Sequence, residues 1–391
     1  MGGKLDELPT DDDSIYARDV LTAAKQAYAS CDSDPQRYCR ALKGAFPAVV
    51  AGSLQALINH ERMFSNRAAW QYIRQRSAPE PHPIDFDWRF TRATSNSLAD
   101  LACAQGSVLC VGTPSVFEAI AARGGEALLL DRNPLLKFPK NSACRYTVTD
   151  LREKEELRGE FDAAVLDPPW YPEHYRTWIA RALTLLARPG VIYLALFREL
   201  TRPGASGDRD FVLSLLEALG NVSFLREHEL IYSTPPFEAE VLAHLNLPVL
   251  PTWRVADLVR VDVKDPHSIC LDKDGYASEA PFDRFAVGDQ VVVVRHPVND
   301  TGPISYYNPG LGCDGFMLNS VSNRNPSRSD ITVWTSRNRA AVATGTRRIA
   351  ALLSRMTGNI QGKPSVKNVS EDDEITFNNL LGDLKLNAGT A

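Results

Sequence analysis

From residue 107 to about residue 263 the chain alternates short apolar runs with stretches of helical spacing. Residues 108–111, 127–130, 163–166 and 191–197 are predicted as strands, and 115–123, 175–186 and 210–219 as helices between them. Such alternation predicts an α/β domain in which a mostly parallel sheet is covered by helices on both faces. Residues 222–231 and 255–263 read as two more strands. The long segment joining them contains Pro235, Pro236 and Phe237, which fits an antiparallel pair closing the sheet.

Before this domain, from about residue 14 to residue 76, apolar positions recur at helical spacing (Tyr16, Val20, Ala23, Ala24 and Tyr28, then Leu54, Ala56, Leu57 and Met63), predicting a helical N-terminal module over 1–80. Pro79, Pro81 and Pro83 forbid regular helix and mark the boundary, so the central domain is placed at 81–265. Beyond Asp265 the helical spacing fades. Phe285 to Asp289 reads as a turn followed by a strand at 290–294, which predicts a small β-rich appendage over 266–360. The polar end with its acidic Glu371-Asp372-Asp373-Glu374 run is expected to be a mobile tail, 361–391.

With 44% hydrophobic and 23% charged residues, the chain is globular, not fibrous or disordered. No apolar run reaches the roughly 18 residues that would span a bilayer, and the first residues are acidic, so no membrane partner and a cytoplasmic location are expected. Seven cysteines without a CxxC pair argue against a disulfide framework or a zinc finger. His267 and Cys270 have metal-like spacing but no second ligand pair, and read as loop residues; no metal is expected. A net charge of −5 excludes a uniformly basic coat. One piece departs from that balance: 316–357 holds seven arginines, Arg337 and Arg339 among them, against the single acid Asp330. These arginines are candidate phosphate contacts, with ordinary solvated or ion-paired faces as the alternative.

Two stretches carry chemistry. In the first, the strand at 108–111 runs into Gly112-Thr113-Pro114-Ser115 and then a helix. A small residue at the carboxyl end of a strand lets a ligand approach the backbone, and Asp131, nineteen residues on at the next strand end, is placed to accept hydrogen bonds from ribose hydroxyls. Asp150 follows another strand and would either meet the cofactor's base or cap a helix. In the second, 161–166 ends in Asp167-Pro168-Pro169-Trp170. An amino group conjugated to a ring is a poor nucleophile. It must be held in line with its electrophile while a carboxylate (Asp167) and a carbonyl (Pro168) accept its protons, and an aromatic face (Trp170) stacks on the ring. The alternative is a proline-stiffened turn with Trp170 as a core plug. Tyr171 and His174 follow and are candidates for the acceptor pocket, although a loop histidine without a role is the more ordinary case. Phe86, Trp88, Phe90 and Thr91 precede the first strand, where a segment could cover a cofactor; core packing is the plainer account of Phe86 and Trp88.

The block 108–197 resembles the DPPW/DPPF branch of the adenine-N6 methyltransferases, in particular the subset whose first motif reads V-G-T-P-S, as at 111–115, in place of a glycine-rich loop. The resemblance implies a Rossmann-like class I methyltransferase sheet and S-adenosylmethionine as cofactor. It implies Gly112, Asp131 and Asp150 for binding that cofactor, and Asp167, Pro168, Pro169 and Trp170 for the acceptor amine. The expected acceptor is adenine-N6 of DNA or RNA. Protein lysine is the alternative, since the subset includes lysine methyltransferases, and a catalytically silent subunit docking protein partners through the N-terminal helices is a third.

Overall fold

The computed structural model describes residues 11–42, 88–138, 143–149, 160–202, 204–264, 282–297, 302–309, 315–317, 330–358 and 369–386, with the isolated positions 45, 50, 51, 53, 54, 151 and 300. Asp150, Phe86, His267, Cys270, Arg324, Arg328 and the proline boundary at 79–83 lie outside the described residues.

The N-terminal helices are α1 (Asp11–Ser30) and α2 (Pro35–Ala41), the latter capped by the Asp34 carboxylate accepting from the Gln36 N–H. The central domain runs β1 (Arg89–Phe90), α3 (Arg92–Cys103), β2 (Val108–Val111), α4 (Pro114–Ala122), β3 (Ala127–Asp131), β4 (Cys144–Val148), β5 (Phe161–Leu166), α5 (Pro172–Leu183), β6 (Leu186–Leu196), α6 (Ala205–Leu219), β7 (Gly220–Phe224), β8 (Leu230–Ser233), α7 (Pro236–His244) and β9 (Val255–Val263). Proline occupies the first turn of α4, α5 and α7, where its missing N–H would have no intrahelical partner.

These strands form one nine-stranded sheet in the order β1-β8-β9-β6-β5-β2-β3-β4, with β7 also on β9. The run β4-β3-β2-β5-β6 is parallel, and β9 reverses against β6, as do β7 and β8 against β9. This is a Rossmann-like sheet, mostly parallel with an antiparallel edge. Period-two alternation divides each central strand between two cores. Leu109 and Val111 of β2 pack with α5 and α6, whereas Val108 and Cys110 pack with α3 and α4. Burial on both faces explains why these strands are apolar at every position.

The N-terminal helices pack on the segment between β8 and β9: Ala24, Ala27, Tyr38 and Leu42 share a core with Leu242, Leu247, Leu250 and Trp253. The appendage is a five-stranded antiparallel sheet of β10 (Phe282–Val287), β11 (Gln290–Arg295), β12 (Ser305–Tyr307), β13 (Val333–Thr335) and β14 (Ala340–Thr344), in the order β10-β11-β13-β14-β12. Two helices cover it, α8 (Thr346–Thr357) and α9 (Glu371–Asp383). Phe237, Trp334, Ile331 and Val293 join it to the central domain.

Helix α9 corrects the expectation of a mobile tail. Ser370 and Asp373 form a capping box, and the acidic run lies in the first helical turn, where it faces the positive end of the helix dipole. Phe377, Leu380, Leu381 and Leu384 are spaced to bury one face in the appendage core. The polar composition concealed that stripe.

Candidate active site

The carboxyl ends of β2, β3 and β5 lie side by side, and above them opens a cleft. Gly112, Asp131, Asp167, Pro168, Pro169, Trp170 and Tyr171 all line it.

Gly112 ends β2 with its N–H donated to the Leu130 carbonyl at 2.9 Å, at a φ of +62°. A Cβ there would meet the Trp178 ring at 2.5 Å, so both the left-handed backbone and the packing of α5 demand glycine. Asp131 ends β3, and its carboxylate accepts from the Asn133 N–H at 2.8 Å. Burial raises its pKa, against that hydrogen bond and the charges of Arg284, Arg132 and Arg89. Arg284 comes from β10 of the appendage and donates to the Arg132 carbonyl at 2.9 Å, so the appendage braces the loop that carries the acid.

Asp167 ends β5, partly exposed where it lines the cleft. Tyr232 of β8, 65 residues away in sequence, donates its hydroxyl to Asp167 Oδ1 at 2.7 Å. Burial pushes the carboxyl up to about 7, although the Tyr232 and Trp170 hydrogen bonds favour the charged form. Burial likewise raises the Tyr232 and Tyr175 phenols well above their ordinary value, and the nearby Asp167 charge adds to it.

Trp170 is half-buried, with its ring 5.7 Å from that of Tyr232. Its carbonyl accepts from the Arg202 guanidinium at 3.0 Å. Arg202, itself buried, pairs with Asp208 and lies 5.3 Å from the Tyr171 ring, fixing the loop from behind. Arg254 sits over the Trp88 ring at 4.5 Å and 5.5 Å from that of Trp170, with Glu238 3.8 Å away. Trp88 lines the cleft and also packs against Phe237 and Tyr232, so both of its sequence readings describe it. Phe90 is core, and Thr91 caps α3 by accepting from the Thr94 N–H.

Three predicted residues stand apart from this cleft. His174 is on α5, buried and 6.2 Å from the Tyr171 ring, and is neither cleft wall nor exposed loop. Arg339 is buried in the appendage, where it donates twice to the Asp383 carbonyl at 3.2 and 2.8 Å. Arg337 pairs with Asp289 at 2.8 Å on the appendage surface. Arg348 and Arg355 pair with Asp373 and Glu374. Three of the seven arginines are thus matched by acids outside 316–357. Conversely, nothing local flagged Tyr232, Arg202, Arg254 or Arg284, since each joins the site by strand pairing or domain packing. Among the described residues no group of histidine, cysteine and acidic side chains could hold a metal ion, and no helix is long and apolar enough to cross a membrane.

Residues 86–246 match the family model described as "Probable N6-adenine methyltransferase". This segment, about two fifths of the chain, is thus similar to that family. No curated protein matches the chain significantly. Solved structures with a similar fold include TrmN from Thermus thermophilus, at 16% identity over 44% of this chain and 49% of that one with a TM-score of 0.27. They also include an rRNA methylase from Streptococcus thermophilus, at 10% identity over 44% of this chain and 95% of that one with a TM-score of 0.27. A third is the fibrillarin pre-rRNA processing protein of Methanococcus jannaschii, at 12% identity over 47% of this chain and 78% of that one with a TM-score of 0.29. The matched part of this chain spans about half the length of the Thermus protein.

Proposed function

We propose that the chain methylates the N6 amine of adenine in a nucleic acid, using S-adenosylmethionine. The observation that carries this reading is the Asp167-Pro168-Pro169-Trp170 turn beside Gly112 and Asp131 in one cleft. The donor set suits the cofactor: Asp131 at a strand end for the ribose hydroxyls, and the glycine backbone of Gly112 beside it. When bound, the cofactor supplies a methyl group on a sulfonium and departs as a neutral thioether.

The remaining work falls to the protein. Asp167 and the Pro168 carbonyl accept the two N–H bonds of the acceptor amine, turning its lone pair toward the methyl group, and the proton lost after transfer passes to Asp167. A carboxyl near 7 is poised to take that proton at neutral pH. Trp170 and Trp88 offer aromatic faces to a planar base, and base flipping would deliver it from a duplex.

The cleft charges favour a nucleobase over lysine. Arg132, Arg202 and Arg254 line the cleft with Asp131 and Asp167, and Asp208 and Glu238 lie against Arg202 and Arg254 from outside it. Three guanidinium groups oppose entry of an ammonium, whereas they suit a base flanked by phosphates.

Transfer from labelled S-adenosylmethionine to separate pools of DNA, RNA and protein tests the assignment. Label should appear in nucleic acid and co-migrate with N6-methyladenosine or its deoxy form after digestion; label in protein alone would overturn the reading. Asp167→Ala should lower turnover by a factor of about a thousand or more while cofactor affinity by calorimetry stays within a few fold, because the carboxylate acts on the amine in the transition state.

A further inference from the structure

Asp167 is held from several directions, and the partners differ in what they supply. Trp170 of its own turn donates the indole N–H. Tyr175 of α5 lies near enough to feel its charge but commits its hydroxyl to the Ala195 carbonyl at 2.8 Å. Arg202, Arg254, Arg132 and Asp131 share the cleft. Tyr232 approaches from the antiparallel strand β8 and places its hydroxyl on Oδ1 at 2.7 Å. It is 1% exposed, wedged between Trp88, Phe90 and Trp170, so its ring cannot swing away.

We propose that Tyr232 is a positioning residue for methyl transfer. Its hydroxyl occupies Asp167 Oδ1, so that Oδ2 faces the acceptor amine, and it stabilises the carboxylate so that Asp167 stays able to accept a proton near neutral pH. This rests on the reading of Asp167 as the amine's acceptor. The physical reasons are general. A buried phenol needs a partner for its O–H. A hydrogen bond donated to a carboxylate favours the charged form against the penalty of burial. A phenol whose own ionisation is pushed far above neutrality remains a donor throughout the working range. A tyrosine that served packing alone would shift the protonation of Asp167 on its loss without moving the acid limb of kcat.

The test is a titration of the Asp167 carboxyl by infrared difference spectroscopy on the full chain, with Asp167→Asn assigning the band, run beside the pH profile of kcat. In Tyr232→Phe the carboxyl midpoint should rise by about one pH unit. The acid limb of kcat should rise with it, giving roughly a fivefold loss at pH 7 that largely recovers at higher pH. Replacing the residue by 3-fluorotyrosine, which keeps the shape and is a stronger donor, should move both midpoints down. This second arm serves if the phenylalanine variant does not fold. An Asp167 midpoint unmoved in either variant, or a kcat loss equal at every pH, would overturn the proposal. The infrared arm needs no acceptor, so a wild-type protein inactive on every pool would refute the proposed function without touching this result.

Discussion

The central sheet carries a partly enclosed carboxylate, Asp167, and the appendage a buried one, Asp373, and the two are held in opposite states. Burial opposes ionisation at both sites. At Asp373 it is outweighed by the Ile304 N–H at 2.7 Å, the Ser370 N–H and hydroxyl at 3.0 and 2.9 Å and the Arg348 guanidinium at 2.5 Å, so this acid titrates below the ordinary carboxylate range. At Asp167 the Tyr232 and Trp170 donors do not outweigh it, and the group sits near 7. The arginines follow the same division: Arg339 and Arg348 of the appendage are spent on internal acceptors, while Arg254 of the central domain lines an open cleft. A saturated buried acid is a structural tie. One left short of donors at a strand end is a group whose remaining partner is to be a ligand.

The strongest way to break this comparison is to remove both acids. Asp373→Ala should destabilise the appendage by roughly 3 to 5 kcal/mol, since Arg348 and the Ile304 N–H lose a buried partner. Asp167→Asn should cost little or raise the melting temperature. The pH signs differ too. Because the Asp373 pKa is lowered by folding, its contribution is present above the unfolded value of about 3.9 and is lost as pH falls below it. Because Asp167 is raised to about 7, wild-type stability falls as pH climbs from about 4 through 7. The gain from Asp167→Asn should therefore be seen at pH 8 and vanish near pH 4. Thermal melts of both variants across that range check it, and a large loss from Asp167→Asn at pH 8 would place the two acids in one class.

Cofactor affinity sharpens the contrast at lower amplitude. Asp131→Ala should weaken S-adenosylmethionine binding by roughly 1.5 to 3 kcal/mol through lost charge-assisted hydrogen bonds. Arg284→Ala, which leaves every cleft-lining side chain in place, should weaken it by only a few fold by releasing the loop after β3. Calorimetry on the two variants separates direct contact from bracing, and equal effects would erase the distinction.

The smallest effects concern the surface. Replacing Arg337 by alanine should change stability by no more than about 0.5 kcal/mol and leave binding to a fluorescent oligonucleotide unaltered, because its pair with Asp289 is exposed. If Arg254 meets a phosphate, its replacement should flatten the salt dependence of binding by about one unit of slope. A wild-type protein with no salt-sensitive binding to DNA or RNA would instead favour a protein acceptor.

The sequence by itself determined the elements whose information is local. Continuous apolar strands at 108–111, 127–130 and 163–166 specified a sheet buried on both faces. A glycine after the first of these and acids after the other two marked where a ligand could meet the strand ends, because period-two alternation and strand direction are set within a few residues. The tertiary structure alone decided the partners. Tyr232 reaches Asp167 because β8 reverses onto β9, Arg284 reaches the Asp131 loop because the appendage docks there, and Arg337, Arg348 and Arg355 meet Asp289, Asp373 and Glu374. The acidic end that looked like a tail became α9 for the same reason. A charge or a hydroxyl carries no local mark of what will face it, and only packing brings together groups tens of residues apart.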